Sequence, residues 1–209
     1  MEKRRIGIMG GTFDPPHIGH LRAAESVLNT LKLEKVVFVP TGSFAHKNNS
    51  ETESAKHRLE MTKLLVNDIE KFEVSDIEVN SLQTSYTSET LPKLHKIYEN
   101  SHLYFIVGAD SLDYMENWKN PQIIFSYASV AVVNRNGFDE DAILKKADEL
   151  KKRFSADIHI VQMENELVSS TEIRNRIKNG KPIEKMTTEK VIDYIYAKKL
   201  YTQKGAEND

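Results

Sequence analysis

The sequence predicts an α/β fold built on a parallel, doubly wound sheet, and three observations carry that prediction. Short apolar runs alternate with helix-patterned segments along most of the chain, joined by short links. Two of those runs, His102–Gly108 and Ala128–Arg135, are apolar nearly throughout, as strands covered on both faces are. The first run ends directly in paired glycines, Gly10 and Gly11, at a place where such sheets meet their ligands.

The elements follow in order. "RIGIM" (Arg5–Met9) is a short strand. Ile18–Leu31 places Leu21, Ala24, Val27, Leu28 and Leu31 at helical spacing. "KVVFVP" (Lys35–Pro40) is β-branched and stopped by proline, which predicts a buried strand. Thr41–Ser54 is polar and turn-rich, hence a loop, and Ala55–Asp68 is helical. Lys71–Val79 is extended. Ser85–Glu99 becomes helical from about Thr87, with Pro92 expected in the first turn, where a missing N–H costs least. After the two buried strands come an amphipathic helix (Asp139–Arg153), a short strand (Asp157–Val161) and two helices (Ser170–Asn179 and Thr188–Lys199). The tail 202–209 is expected to be disordered. There is no internal repeat, low-complexity block or linker. The expectation is one domain over 1–201: a Rossmann-like core over about 4–165 and a small C-terminal helical extension over about 169–201. Ligands bind such sheets beyond the carboxyl ends of the strands. This singles out the loops Gly10–His20, Pro40–Lys47 and Gly108–Trp118.

Composition narrows the class. At 209 residues, 39% hydrophobic and 29% charged, the chain is an ordinary globular one. A formal net charge of -2 does not suggest bulk attraction to nucleic acid or membrane, and neither is expected as a partner. The absence of cysteine excludes disulfides, thiolate metal sites and thiol nucleophiles, and it fits a reducing compartment. The first apolar run breaks at Gly10, too soon for a secretory signal, and no stretch approaches the ~20 apolar residues of a membrane helix. A cytoplasmic location is therefore expected. Oligomeric state is left open, a homo-oligomer included.

The stretch "GGTFDPPHIGH" (Gly10–His20) combines a glycine turn with two histidines three apart at a helix start. Glycine lets backbone N–H groups approach a ligand, and a helix N-terminus adds free N–H groups and a favourable dipole. His17 and His20 can face one way across that start and donate to phosphate oxygens. The plainer alternative is a pair of polar residues that cap the helix. A metal site would lack a third ligand, so none is expected. Near the other end, "VSSTEIRNRI" (Val168–Ile177) sets hydroxyls at a helix cap and Arg174 one turn later. That suits an anion; a capping box from Ser169 to Glu172 is the compatible, plainer account.

The first stretch resembles the G-x-F-D-P-x-H-x-G-H signature of the nucleotidyltransferase superfamily, and the second its I-S-S-T-x-I-R motif. "EKMTTEK" (Glu184–Lys190) is similar to the K-M-S-K-S loop of class I tRNA synthetases, which share HIGH. Thr188 replaces its second lysine, however, and the chain is too short for such an enzyme. Further segments narrow the resemblance: His46-Lys47 after "VPTGSFA", Arg58 in "HRLEM", "SYTSETL" with Tyr86 and Thr87, "IVGADSLDYMENWKN" with Gly108, Asp110 and Trp118, and Arg135 in "VVNRNGF". In this order they are similar to the bacterial nicotinate-nucleotide adenylyltransferases, from about Arg5 to Tyr201.

The resemblance implies adenylyl transfer from ATP, carrying Mg²⁺, to nicotinate mononucleotide. It implies ATP contacts from Gly10, Gly11, Thr12, Phe13, His17, His20, Gly108, Asp110, Ser169, Ser170, Thr171 and Arg174. His17, His20 and Arg174 would be the catalytic set. For the mononucleotide it implies Thr12, His46, Lys47, Thr87, Trp118 and Arg135. Two departures touch substrate contact: Lys119 follows Trp118 where tyrosine is frequent, and Asn136 follows Arg135 where proline is. From the residues alone, Trp118 could equally be core, Thr87 and Asp110 helix caps, and Lys47 a solvated side chain. His57 and Arg58 are assigned to structure. Other open readings are a related small transferase, such as a pantetheine-phosphate adenylyltransferase, and an ATP- or NAD-binding regulator without turnover.

Overall fold

The computed structural model describes residues 3–42, 52–81, 83–135, 139–163 and 168–202, with Arg135 described in its backbone only. Six strands form one sheet: β1 (Arg4–Gly11), β2 (Lys35–Pro40), β3 (Phe72–Val74), β4 (Ser101–Gly108), β5 (Ala128–Arg135) and β6 (Ile158–Met163). Every pairing is parallel and the order is β3-β2-β1-β4-β5-β6. Strand order therefore reverses between β1 and β4. The carboxyl ends there are Gly10–Gly11 and Gly108, the two glycine positions singled out above.

The near-continuous apolar runs fall into two faces by strict alternation. Val36, Phe38, Ile106, Ala131 and Val133 face α1 (Ile18–Thr30), α2 (Ala55–Val66), α7 (Ser170–Lys178) and α8 (Glu189–Ala197). Ile6, Ile8, Val37, Val39, Leu103, Phe105, Val130 and Val132 face α3 (Thr87–Ile97), α4 (Ala109–Leu112), α5 (Pro121–Tyr127) and α6 (Glu140–Phe154). The C-terminal helices thus belong to the same apolar layer as α1 and α2. Ile173, Ile177, Val191 and Ile195 are buried in it.

Three expectations need correction. Lys71–Val79 holds only a three-residue strand. As an edge strand β3 pairs on one side alone, and past Val74 the Ser75 N–H still bonds to Phe38 but the chain then turns. Pro92 lies in the second turn of α3, not the first, because the helix begins at Thr87. Its missing N–H leaves the Ser88 carbonyl without that helical partner. Gly108–Trp118, expected as a loop, contains α4 and a 3-10 turn at Met115–Asn117, followed by α5, whose Pro121 occupies the first helical position. Of the tail 202–209, only Thr202 is among the described residues.

Candidate active site

The first loop is built around a stacked histidine pair. His17 is the N-cap of α1, in extended backbone. His20, one turn on, accepts the His17 backbone N–H at Nδ1, 3.1 Å away. That bond fixes the tautomer: the neutral ring carries its proton on Nε2. The ring centroids are 3.7 Å apart at 30°. Gly19 lies beneath, and a Cβ there would come within 3.0 Å of His17 Nδ1, so the glycine between the histidines makes room for the ring. His17 is 4% exposed, while His20 is half-buried and opens on a cavity. The pair does not face one way with equal exposure: His20 is presented and His17 stands behind it. Phe13, buried and at φ 51°, supports the His20 ring edge-on at 4.9 Å.

That cavity, about 230 Å³, sits at the strand-order reversal. Gly10, Gly11, His20, Gly108, Asp110 and Trp118 line it. Gly108 is the N-cap of α4, and a Cβ on it would collide with Asp110 Oδ1. The Asp110 carboxylate therefore folds back over Gly108 and fills the space that a larger residue there would need.

Two further cavities adjoin. One of about 250 Å³ is lined by Thr12, Thr41, Glu78, Ser85, Thr87 and Trp118, among others. The other, about 520 Å³, lies between the start of α3 and residues 117–119. Trp118 lines all three cavities and Thr87 two of them. The Trp118 indole packs edge-to-face on Phe105 at 6.0 Å and is half-buried. One side of the residue thus packs against the core while it borders the cavities. Thr87 opens α3, whose N-cap Tyr86 makes no side-chain capping bond, so the dipole end of that helix is left uncapped. Glu78 accepts from Thr90 Oγ1 at 2.7 Å, and burial raises its pKa against the hydrogen bonds it receives.

The C-terminal motif meets the first loop. Three successive loop carbonyls accept bonds from the C-terminal part of the chain: from the motif, Asp14 from Arg174 Nη1 at 2.7 Å and Pro15 from Ser170 Oγ at 2.8 Å, and, from beyond it, Pro16 from Thr187 Oγ1 at 2.9 Å. The Ile18 N–H that starts α1 donates to the Met186 carbonyl at 3.0 Å. Ser169 caps α7 by accepting the Glu172 N–H at 3.1 Å. The reciprocal half of the expected capping box is not formed, because the Glu172 carboxylate takes Arg176 Nε instead, at 2.8 Å. Arg174 also reaches Thr171 Oγ1 at 3.3 Å.

Arg58 joins this loop to the next. It is 1% exposed and donates to the carbonyls of Thr12, Thr41, Gly42 and Glu53, at 2.6, 2.6, 3.1 and 3.0 Å. Burial lowers its pKa, and the nearby Asp14, Tyr201 and Glu78 act in the opposite sense. Asp14 accepts from Tyr201 Oη at 2.7 Å and from the Glu53 N–H at 3.3 Å. Burial, then Asp14, hold the Tyr201 phenol far above its ordinary value, so it remains a donor. Among the described residues no three His, Asp or Glu side chains converge as a metal site. His46 and Lys47 lie outside the described residues. Arg135 closes β5 at the same sheet end, paired in register with Met163.

The cytidylyltransferase-like family model matches residues 8–176, from the first strand through the Arg174 helix. The chain belongs to the cytidylyltransferase-like family. Within it, the chain is 42% identical over 198 residues to a protein of Desulfitobacterium hafniense named probable nicotinate-nucleotide adenylyltransferase, covering 95% of this chain and 96% of that protein. It is 39% identical to a protein of the same name from Clostridium tetani, with 95% and 99% covered. Among solved structures, the Plasmodium falciparum nicotinic acid mononucleotide adenylyltransferase complexed with NaAD shares the fold at TM-score 0.76 and 22% identity, covering 95% and 97% of the two chains.

Several residues of the candidate site escaped the sequence. Thr41, Glu78 and Ser85 line the site, and Thr187 and Tyr201 brace it. Thr187 stands in the very stretch set aside as a likeness to a synthetase loop. Tyr201 was visible only as an aromatic residue before a polar tail.

Proposed function

We infer that the chain transfers the adenylyl group of ATP to nicotinate mononucleotide, giving nicotinate adenine dinucleotide and pyrophosphate. One observation carries the reading: a glycine-lined cavity with His20 at the strand-order reversal adjoins two further cavities, and Trp118 borders all three. Two ligands can then lie end to end, with their phosphates meeting at the first loop. The names of the curated relatives support the same pair of substrates.

A phosphate oxygen of the mononucleotide attacks the α-phosphorus of ATP. The new P–O bond forms as the bond to the β-phosphate oxygen breaks, and pyrophosphate leaves with that electron pair. A phosphate monoester has its second pKa near 6, so the nucleophile is already ionised at neutral pH and needs no general base. Catalysis is then alignment and charge stabilisation. In this proposal the backbone of Gly10, Gly11, Thr12 and Phe13 cradles phosphate, with His20 Nε2–H as the presented donor and His17 fixing its position. Arg174 with Ser169, Ser170 and Thr171 holds the triphosphate end. Gly108 and Asp110 take the adenosine. Thr87 and Trp118 take the pyridine ring, and Thr12, His46, Lys47 and Arg135 the mononucleotide. Mg²⁺ enters as Mg-ATP, held by phosphates rather than by a carboxylate cage. The reaction belongs in the cytoplasm.

The test is pyrophosphate release with Mg-ATP and, in parallel, nicotinate mononucleotide, nicotinamide mononucleotide or phosphopantetheine. Strong preference for the nicotinate form is expected. Preference for phosphopantetheine would reassign the acceptor. ATP binding without release in any of the three would point to a regulator and overturn the reading.

A further inference from the structure

The 520 Å³ cavity carries a side chain that the substrate assignment leaves unused. Lys119 lines it beside Trp118 and Thr87, and it is the one fully charged side chain among the described lining residues. It also stands where the family resemblance leads one to expect tyrosine. Its Nζ lies 2.8 Å from Glu89 Oε1 and 3.8 Å from the centroid of the Tyr86 ring. Glu89 belongs to the first turn of α3, two residues after Thr87.

This ion pair is easily exchanged. The two side chains are 43% and 41% exposed. In such a setting water screens the attraction, and ordering two flexible side chains offsets what remains. The Tyr86 face meanwhile keeps the ammonium at the cavity rather than free in solution. A carboxylate entering the cavity would meet an ammonium already in place, on the same side as the uncapped start of α3.

We propose that Lys119 is a specificity-determining residue that exchanges Glu89 for the carboxylate of a pyridine ring held against Trp118. The proposal rests on the pyridine mononucleotide reading of this cavity. An acid ring substituent is charged and gains from the ammonium; an amide substituent is neutral and does not. Glu89 acts in the opposite sense, because it competes for Lys119 and repels an incoming carboxylate. Neutralising Lys119 and neutralising Glu89 should therefore shift selectivity in opposite directions. A purely structural latch between the 117–119 segment and α3 would respond alike to both.

Trp118 is the only tryptophan in the chain, so its fluorescence reports this cavity directly. Full-length protein would be titrated with nicotinate mononucleotide and with nicotinamide mononucleotide, and the ratio of the two Kd values compared among variants. Relative to the parent, Lys119→Met should lower the preference for the acid about tenfold, and Glu89→Gln should raise it about threefold. Lys119→Arg should retain it. An unchanged ratio in Lys119→Met, or a shift in the same direction in both neutral variants, overturns the proposal. If Lys119→Met fails to fold by circular dichroism, Glu89→Gln and Lys119→Arg decide on the same criterion. Absence of quenching by either mononucleotide in the parent protein would remove the pyridine reading as well. Quenching by the acid with unmoved ratios removes this proposal alone.

Discussion

The His20 imidazole accepts the His17 N–H through Nδ1, which leaves Nε2 as the protonated ring nitrogen, and the residue lines the cavity. In the proposed reaction that donor meets charge developing on phosphate. His20→Ala is expected to lower kcat by about 10²-fold, the scale of one lost transition-state donor. A melting curve would register the lost capping bond separately, and a kcat within twofold of the parent would refute the assignment. At this scale the sequence was most legible where covalent identity dictates chemistry: two imidazoles three apart, paired glycines at a strand end, a lone tryptophan. It was silent on asymmetry within the pair. Which imidazole is 4% exposed and which is presented depends on Phe13, Gly19 and the segment around Val168. No spacing rule encodes those neighbours.

The elements divide the same way. The strands and most helices were legible because their periods of two and 3.6 follow directly from burial on two faces or one. The short elements between Gly108 and Tyr127 were not, since four- and seven-residue helices leave no period to read. Nor was the relation between elements far apart in sequence. The clearest case is the donation from α7 and the stretch before α8 onto the carbonyls of Asp14, Pro15 and Pro16. Thr187, buried and not among the residues lining the three cavities, isolates this contact. Thr187→Val keeps the shape and removes the donor to Pro16. The lost bond is worth about 1 kcal/mol, a fall in melting temperature of about 2–4 °C for a chain of this size. If the contact positions the loop, kcat should fall about tenfold as well, more than so small a loss of stability explains. Steady-state kinetics beside a melting curve would separate the two effects, and an intact kcat would make the contact structural only.

Across the whole molecule, chemistry gathers at the carboxyl ends of the strands, while the opposite end holds a polar cluster of a different kind. There His102 Nε2 lies 2.6 Å from Ser129 Oγ, which donates to Asp157 at 2.5 Å, and His159 approaches the same carboxylate at 3.1 Å. Burial lowers the His102 pKa below its ordinary 6.5, with Lys3, His159 and Arg5 acting in the same sense and Asp157 against it. In the interval below 6.5 the unfolded chain then binds more protons at this residue than the folded one. Stability is therefore retained above that interval and lost as pH falls through it. Melting temperature between pH 7.5 and 5.5 should decline more steeply in the parent than in His102→Gln; parallel slopes would exclude the residue. We propose that residues 1–201 are one domain, because α7 and α8 share an apolar layer with α1 and α2. The bond from Tyr201 to Asp14 joins residues 187 positions apart, which has a consequence in time. A ribosome adding 5–20 residues per second makes the first loop first and its last brace about 10–40 s later. A nascent chain can carry every histidine and glycine of the site and still lack the geometry that makes them one.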